Sequence, residues 1–528
     1  MNYADLFRVT LPETALEVAA LLVLVVDLGF LRKAALTVRA AVAALLGVAG
    51  CGVALWFVLT AGGASLSFGN DLLLTVGGTA AVAQAGILVL TALTLLLLID
   101  AAFTRHVGEF VGVVLMAATG GLVISAAQDL LVIFVGLELL SLGLYILTAF
   151  AKKSAKSAES ALKYYLFGGM SAAFLLFGFS YLYGLSGSTN LHKIVIASYA
   201  LSTVGAWPLW ALALVMVAAG LGFKVAAVPF HLWAPDTYEG APAPAAAFIA
   251  SVSKVASFAL LITVGSIALN PFDFSRTAHG VLRVQLSFGV ITSEVLTPRP
   301  LGFLAPWATV LAVMAAASML VGNLAALAQI SVRRLLAYSA IAHAGYILLG
   351  LAYFSYGSRS ANAILYYTLT YGLTTIGAFG AIGVVERATG SDRMGAFLGL
   401  HKRNPVLAAV VLVLFLSLAG IPPLVGFWAK FNLFAAVLSV HAGPVSLALV
   451  ALAVGMSAVS LYYYLQVLKR AYVMPAVNDE PIRVRPVTML VLLLVAAGVV
   501  LLGCFPAVLQ GWIASFYPII DYVRMPPG

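Results

Sequence analysis

Apolar stretches of about twenty residues follow one another along nearly the whole chain, separated by short polar connections. They fall at 11–31, 40–61, 77–101, 108–126, 129–150, 161–185, 206–230, 242–268, 303–327, 334–354, 361–385, 404–440, 444–468 and 487–510. A helix needs about 20 apolar residues to cross the hydrocarbon core of a bilayer. The pattern therefore predicts an all-α polytopic membrane protein with about 14 transmembrane helices. Two stretches depart from it. Residues 188–203 read as a short, weakly amphipathic link, and 269–302 as a polar-mixed loop carrying Arg276, Arg283 and Arg299, either a local elaboration or a partly disordered surface hairpin.

Composition supports this reading. Of the 528 residues 63% are hydrophobic and 9% charged, against roughly 25% charged in soluble domains. Ordinary water-exposed classes are excluded. The net charge of +9 would suggest nucleic-acid binding on a soluble protein, but here its distribution matters more. If both termini face out, the inward connections hold 17 basic residues, among them Arg32, Lys33, Lys152, Lys153, Lys156, Arg333, Arg334, Lys402 and Arg403, and the outward ones 7. The positive-inside rule then places both termini on the outer side.

The chain offers little to hold a redox group or a nucleotide. Cys51 and Cys504 lie in distant apolar runs, and an iron–sulfur cluster needs about four ligands. The seven histidines show no ligand-like spacing, and neither a Walker A pattern nor a strand-borne GxGxxG is present. No metal and no cofactor are expected in this chain. Glu13 and Glu17 interrupt the first apolar run, so no secretory signal is expected there.

Four lysines fall within spans: Lys163, Lys224, Lys254 and Lys430. Lys163 lies near enough to a span start to snorkel. Lys254 lies about 18 Å along its helix, where an ionisable group costs about 2.5–3.5 kcal/mol on the lenient insertion scale. Glu138, about ten residues inside its span, is the natural acidic partner. A single buried Glu–Lys pair could merely fix helix packing, but one carboxylate leaves two ammonium groups unexplained. The alternative is a proton relay in the membrane plane. His231, seven residues past Lys224, and His343, nine residues into its span, are auxiliary candidates, because neutral imidazole titrates near physiological pH.

The chain also repeats itself. The segment 161-ALKYYLFGGMSAAFLLFG-178 aligns with 363-AILYYTLTYGLTTIGAFG-380 at an offset of 202, and Tyr145 aligns with Tyr346 at 201. An offset of five spans reverses orientation, which predicts two inverted five-helix repeats. The resulting division is an N-terminal three-helix segment (1–106), a first repeat (107–268), an extramembrane loop (269–302), a second repeat (303–470) and a C-terminal span and tail (471–528). Each repeat contains a predicted broken helix, at Pro229 just past Lys224 and at Gly420, Pro422 and Pro423 before Lys430. Proline removes an amide donor, and the carbonyls freed in lipid survive only where protein or water satisfies them.

On these residues a resemblance can be stated. The runs 223-FKVAAVPFHLWAPDTYEGAPAPAAAF-248, 333-RRLLAYSAIAHAGY-346 and 417-SLAGIPPLVGFWAKF-431 resemble the antiporter-like proton-channel subunits of respiratory complex I, and among them the subunit N branch. The resemblance covers essentially the whole chain. It implies a relay of Glu138, Lys224, Lys254 and Lys430, with Lys163 at a further lysine position of the family. It also implies that NADH, FMN, iron–sulfur clusters and quinone belong to partner subunits of a quinone-reducing complex in a bacterial inner membrane. Lys430 separates the chain from sister subunit M, which carries glutamate there, and the absence of a lateral helix after 510 separates it from subunit L. The loop 269–302 is longer than the family leads one to expect. Two alternatives remain: a subunit of a multi-subunit cation/proton antiporter, and a membrane scaffold with inert ion pairs.

Overall fold

The computed structural model describes residues 7–61, 65–68, 71–101, 103–201, 207–273, 281–286, 289–294, 306–354, 359–440, 442–476 and 480–516. The elements in chain order are α1 (Leu11–Val25), extended by a π turn at Val26–Phe30, and α2 (Leu36–Thr60), then a hairpin of β1 (Ser65–Phe68) and β2 (Asp71–Thr75). There follow α3 (Gly78–Leu98), α4 (Val107–Ala126), α5 (Leu130–Thr148), α6 (Ala155–Ser186), α7 (Leu191–Leu201), α8 (Trp207–Lys224), α9 (Trp233–Gly240) and α10 (Ala243–Asp273). A second hairpin pairs β3 (Val281–Leu286) with β4 (Gly289–Glu294). The chain continues through α11 (Pro306–Leu327), α12 (Val332–Ala352), α13 (Arg359–Thr389), a 3-10 turn (Met394–Phe397), α14 (Leu400–Arg403), α15 (Pro405–Ala419), α16 (Val425–Val440), α17 (Pro444–Tyr472), α18 (Pro486–Cys504) and α19 (Pro506–Ser515).

Among the described residues, 11 helices are long and apolar enough to span a membrane. A helix satisfies its own backbone groups without water, which lets it cross hydrocarbon. The chain marks helix starts locally. The carboxylate of Asp129 accepts from Leu131 N at 2.8 Å, and the amide oxygen of Asn404 accepts from Leu407 N at 2.9 Å. Pro405, Pro444 and Pro486 occupy first-turn positions where no amide is needed.

Several expected boundaries shift. The run 206–230 is helical only as far as Lys224, because the ladder ends there and residues 225–232 form turns. The link 188–203 contains a regular helix, α7. Helix α10 continues to Asp273, past the apolar residues that ended the predicted span, since hydrophobic periodicity marks burial rather than the last hydrogen bond. The remaining loop carries the β3–β4 hairpin, with Val281 opposite Glu294 and Leu286 opposite Gly289. Arg276 and Arg299 lie outside the described residues.

Burial is uneven among the spans. The membrane windows of α10, α12 and α13 are 100%, 94% and 83% buried, whereas those of α17 and α6 are 22% and 33% buried. A helix apolar all round and buried all round belongs in the middle of a bundle. These three helices carry Lys254, His343 and a set of tyrosines.

The α4–α5 and α11–α12 pairs pack alike. A side chain at Gly120 would meet Leu140 N at 2.5 Å and Gly136 O at 2.8 Å, and one at Gly322 would meet Ala342 N at 2.5 Å and Tyr338 O at 2.8 Å. All three positions differ by 202, the offset of the sequence repeat. Both pairs thus bring backbones together at equivalent glycines.

Candidate functional site: a row of buried lysines

Each helix break presents an ammonium group to oxygen. Lys224 is the last residue of α8, where the helix dipole favours a cation. It is 7% exposed, and its Nζ donates to Ser141 Oγ on α5, whose hydroxyl in turn donates to Leu137 O. Past the break, Val228 N donates to Ser318 Oγ at 2.9 Å and Trp233 Nε1 to Phe223 O at 2.9 Å. The turn is thereby pinned to α11 and to α8 itself.

At the second break, Gly420 ends α15 in the left-handed region at φ 88°. Lys430, five residues into α16, reaches back across the break. Its Nζ donates to Leu418 O at 3.2 Å, Ala419 O at 2.9 Å and Ser457 Oγ at 2.8 Å. A side chain at Gly420 would stand 3.0 Å from Lys430 Cδ, so the residue serves both the turn and the approach of the lysine.

Lys254 lies between them on the fully buried stretch of α10 and is 2% exposed. Its Nζ donates to Ala340 O on α12 at 2.6 Å and sits 5.4 Å from the centre of the Tyr371 ring, within cation–π reach. From there a row of rings leads to Lys430. Tyr371 and His343 are 4.8 Å apart between ring centres, His343 and Tyr346 are 5.7 Å apart, and Lys430 Nζ is 5.5 Å from the Tyr346 ring. Both nitrogens of His343 have hydroxyl partners, Tyr367 OH at 2.8 Å from Nδ1 and Tyr464 OH at 3.5 Å from Nε2. A neutral imidazole donates from one nitrogen and accepts at the other, so it can take a proton on one side and release it on the other.

The expected acid–base pair needs correction. Glu138 is half-buried on α5, one turn before Ser141. Among the described residues it forms no direct ion pair with Lys224, whose Nζ takes the Ser141 hydroxyl instead. The geometry of α5 explains this, because positions three apart share a face and the shorter serine fills the space next to the ammonium. Most of the charge partners are fixed backbone and hydroxyl oxygens.

Lys163 and His231 are not brought to the row. Lys163 projects to the basic end of the bundle, 42% exposed, and pairs with Glu159 at 2.7 Å and Asp236 at 2.8 Å. The other oxygen of Asp236 takes Arg334 at 2.6 Å, and Glu239 takes Lys156 at 2.7 Å and Arg334 at 3.1 Å. Helix α9 is thus clasped by cations from α6 and α12, one from each of the predicted repeats. Beside it opens a cavity of about 420 Å³, lined by Lys156, Glu239, Arg333, Glu386, Arg387 and Asp392 among others. His231 lies in the turn after Lys224, and among the described residues its Nδ1 has no hydrogen-bond partner.

Sequence reasoning missed Ser141, Ser457, Tyr371 and Tyr464, since a serine or tyrosine in an apolar run carries no signal of its own. Among the described residues no group of three or more His, Cys, Asp or Glu side chains could hold a metal.

A family model described as NADH:quinone oxidoreductase/Mrp antiporter, TM, matches the chain twice, over residues 127–282 and 281–457. A relative from Acidobacterium capsulatum named NADH-quinone oxidoreductase subunit N 2 is 47% identical, over 97% of this chain and 99% of its own. One from Roseiflexus castenholzii named NADH-quinone oxidoreductase subunit N 1 is 39% identical, over 80% of this chain and 76% of its own. A chain of respiratory complex I from Thermus thermophilus with bound aureothin is 32% identical, with a TM-score of 0.72 over 95% of this chain and 98% of that one. A chain of the Mrp complex from a Dietzia species has a TM-score of 0.77 at 22% identity, over 96% of this chain and 51% of that one, a likeness of fold alone. The resemblance read from the three runs is thereby borne out: this chain belongs to the NADH:quinone oxidoreductase/Mrp antiporter transmembrane family, in its subunit N branch.

Proposed function

We propose that the chain translocates protons as one membrane subunit of a respiratory NADH:quinone oxidoreductase, along Lys224, Lys254 and Lys430. The observation that carries this reading is the row Lys254–Tyr371–His343–Tyr346–Lys430, which joins two buried ammonium groups through rings spaced 4.8–5.7 Å apart. Inert ion pairs would call for carboxylates, whereas these lysines face carbonyl and hydroxyl oxygens. An ammonium held by neutral oxygens can lose its proton without stranding a buried anion. The other subunits of the complex are its partners, and in this reading NADH, FMN, iron–sulfur clusters and quinone belong to them.

Coupling is electrostatic. A carboxylate and an ammonium about 6–8 Å apart interact by roughly 2–3 kcal/mol at an effective dielectric near 20. Withdrawing or neutralising Glu138 would loosen the proton on Lys224, which would pass to Lys254, then through His343 to Lys430. Two inverted repeats, 107–268 and 303–470, account for the arrangement. They are supported by the matched glycine contacts at an offset of 202 and by the double match of the family model. Counting α1 with its π turn, α8 with α9, and α15 with α16 as one crossing each gives fourteen spans with the eleven long helices. In a bacterial inner membrane the positive-inside bias would put both termini on the outer side. A reporter fused after Gly528 should then be active outside and one within 388–403 inside, and the opposite pair of results would reverse the path.

The central test is Lys254→Met in reconstituted vesicles, measuring proton uptake driven by NADH oxidation per assembled complex. Pumping should fall on the order of a hundredfold, the lower end of what a positioned proton-transfer group supplies. Full pumping by an assembled variant would leave Lys254 a structural residue. Recovery of the chain with small antiporter subunits rather than NADH-oxidising partners would favour the cation/proton exchanger.

A further inference from the structure

Helix α1 and its π turn carry two buried carboxyl groups in unlike surroundings. Asp27, in the turn, is 1% exposed and fully partnered. It accepts from Arg39 Nε at 2.7 Å, from Arg39 Nη2 at 2.6 Å and from Gly108 N at 3.2 Å. That is how an ionised carboxylate survives burial. Glu13, at the other end of α1, is 7% exposed, and its hydrogen-bond partner on another side chain is Gln84 Nε2, 3.5 Å from Oε1. Among the described residues Glu13 Oε2 has no partner, and neither has Oε1 of the fully buried Gln84.

The orientation of Gln84 is not arbitrary. Its Nε2 also donates to Leu122 O at 3.2 Å. Flipping the amide would set an oxygen against that carbonyl, acceptor to acceptor. Two orphaned acceptors therefore belong to two side chains already joined by one N–H contact. A single proton shared between them would satisfy both.

The surrounding charges agree. On α1 itself, Glu17 lies one turn on and is exposed, and its negative charge opposes a second one nearby. From α2, Arg39 is committed to Asp27 at the far end, and from α4, Glu109 pairs with His106, also at the far end. Helix α3 contributes Gln84 alone. Among the described residues no lysine, arginine or histidine pairs with Glu13. The first-turn amides of α1 favour an anion, but a carboxylate taken out of water without a counter-ion neutralises instead.

We propose that Glu13 and Gln84 form a proton-binding site in the N-terminal helices. The carboxyl is neutral, its Oε2–H donates to Gln84 Oε1, and Gln84 Nε2 donates back to Glu13 Oε1. The site stands on α1 and α3, apart from the row of lysines on α8, α10 and α16. Its existence does not depend on the pumping scheme.

Infrared spectroscopy of the assembled complex at neutral pH tests it. The carbonyl band of protonated carboxyl groups should lose the intensity of one group in Glu13→Gln. The swap Glu13→Gln with Gln84→Glu, which moves the acid to the other side of the same pair, should restore that intensity. Three outcomes overturn the proposal. One is a loss of carboxylate rather than carboxyl absorbance. Another is a swap that restores nothing. The last is a Glu13→Gln complex that fails to assemble, since an amide fills the place of a neutral acid with the same shape and complementary donors.

Discussion

The two helix breaks hold their lysines in different ways. Lys224 is itself the end of a half-helix, and its ammonium leans on one hydroxyl, Ser141 Oγ, one turn from the half-buried Glu138. Lys430 belongs to the far half-helix and is gripped by three oxygens, Leu418 O, Ala419 O and Ser457 Oγ. None of those three carries charge that could be withdrawn. The surroundings of Lys224 contain a group whose state can change, whereas those of Lys430 are fixed by the backbone. The two legs of the row differ as well. Lys254 and Lys430 are joined by Tyr371, His343 and Tyr346, while the side chains touching Lys224 (Ser141 and Phe223) are not among those touching Lys254. In the proposed relay the first break responds to a trigger, and the second receives the proton that the trigger releases.

The largest expected effect comes from Lys430→Met, which keeps the apolar stem and removes the exchangeable proton. Pumping should drop on the order of a hundredfold with assembly retained, and Lys430→Glu, which is still titratable, should recover part of it. Proton uptake at the parent rate in Lys430→Met would move the end of the path elsewhere.

The contrast predicts a smaller but diagnostic effect at the first break. Glu138→Gln should slow pumping by roughly thirtyfold, the rate equivalent of about 2 kcal/mol. A double-mutant cycle with Lys224→Ala should give a coupling of about 0.5–3 kcal/mol. Strict additivity would mean that Glu138 does not act on Lys224, and the responsive character assigned to the first break would go with it.

The smallest effect should fall on the second leg. His343→Phe keeps an aromatic ring but removes both contacts to the Tyr367 and Tyr464 hydroxyls. A neutral hydrogen bond contributes about 1 kcal/mol net, so pumping should fall by roughly fivefold to thirtyfold and recover partly in His343→Gln. If the same replacement slowed neither uptake nor its dependence on pH, the ring row would be packing and the contrast between the legs would lose its meaning.

Much of this molecule is legible from the chain. Spans follow from hydrophobic runs, and the breaks at 224–233 and 419–425 follow from Pro229, Gly420, Pro422 and Pro423. These features are local because a helix in lipid must satisfy its own backbone, so the residues that build or interrupt it lie within one segment. The burial of Lys224, Lys254 and Lys430 could be read for the same reason, since each sits deep in a run with no nearby charge. Lys163 could not be settled that way. Its position eight residues into α6 is compatible with either fate, and only the placement of Asp236, 73 residues on, draws it to the basic end.

Partners are what the tertiary structure alone decided. Lys224 meets Ser141 across 83 residues, Lys254 meets Ala340 across 86, and His343 meets Tyr464 across 121. A serine hydroxyl or a helix carbonyl looks the same in sequence wherever it lies, and only packing decides which one faces an ammonium. The direct Glu138–Lys224 pair was expected because opposite charge is the one long-range signal a single sequence displays. The acid–amide pair of Glu13 and Gln84 was invisible for the opposite reason: it joins two residues 71 apart, of which one is uncharged and both belong to ordinary apolar helices.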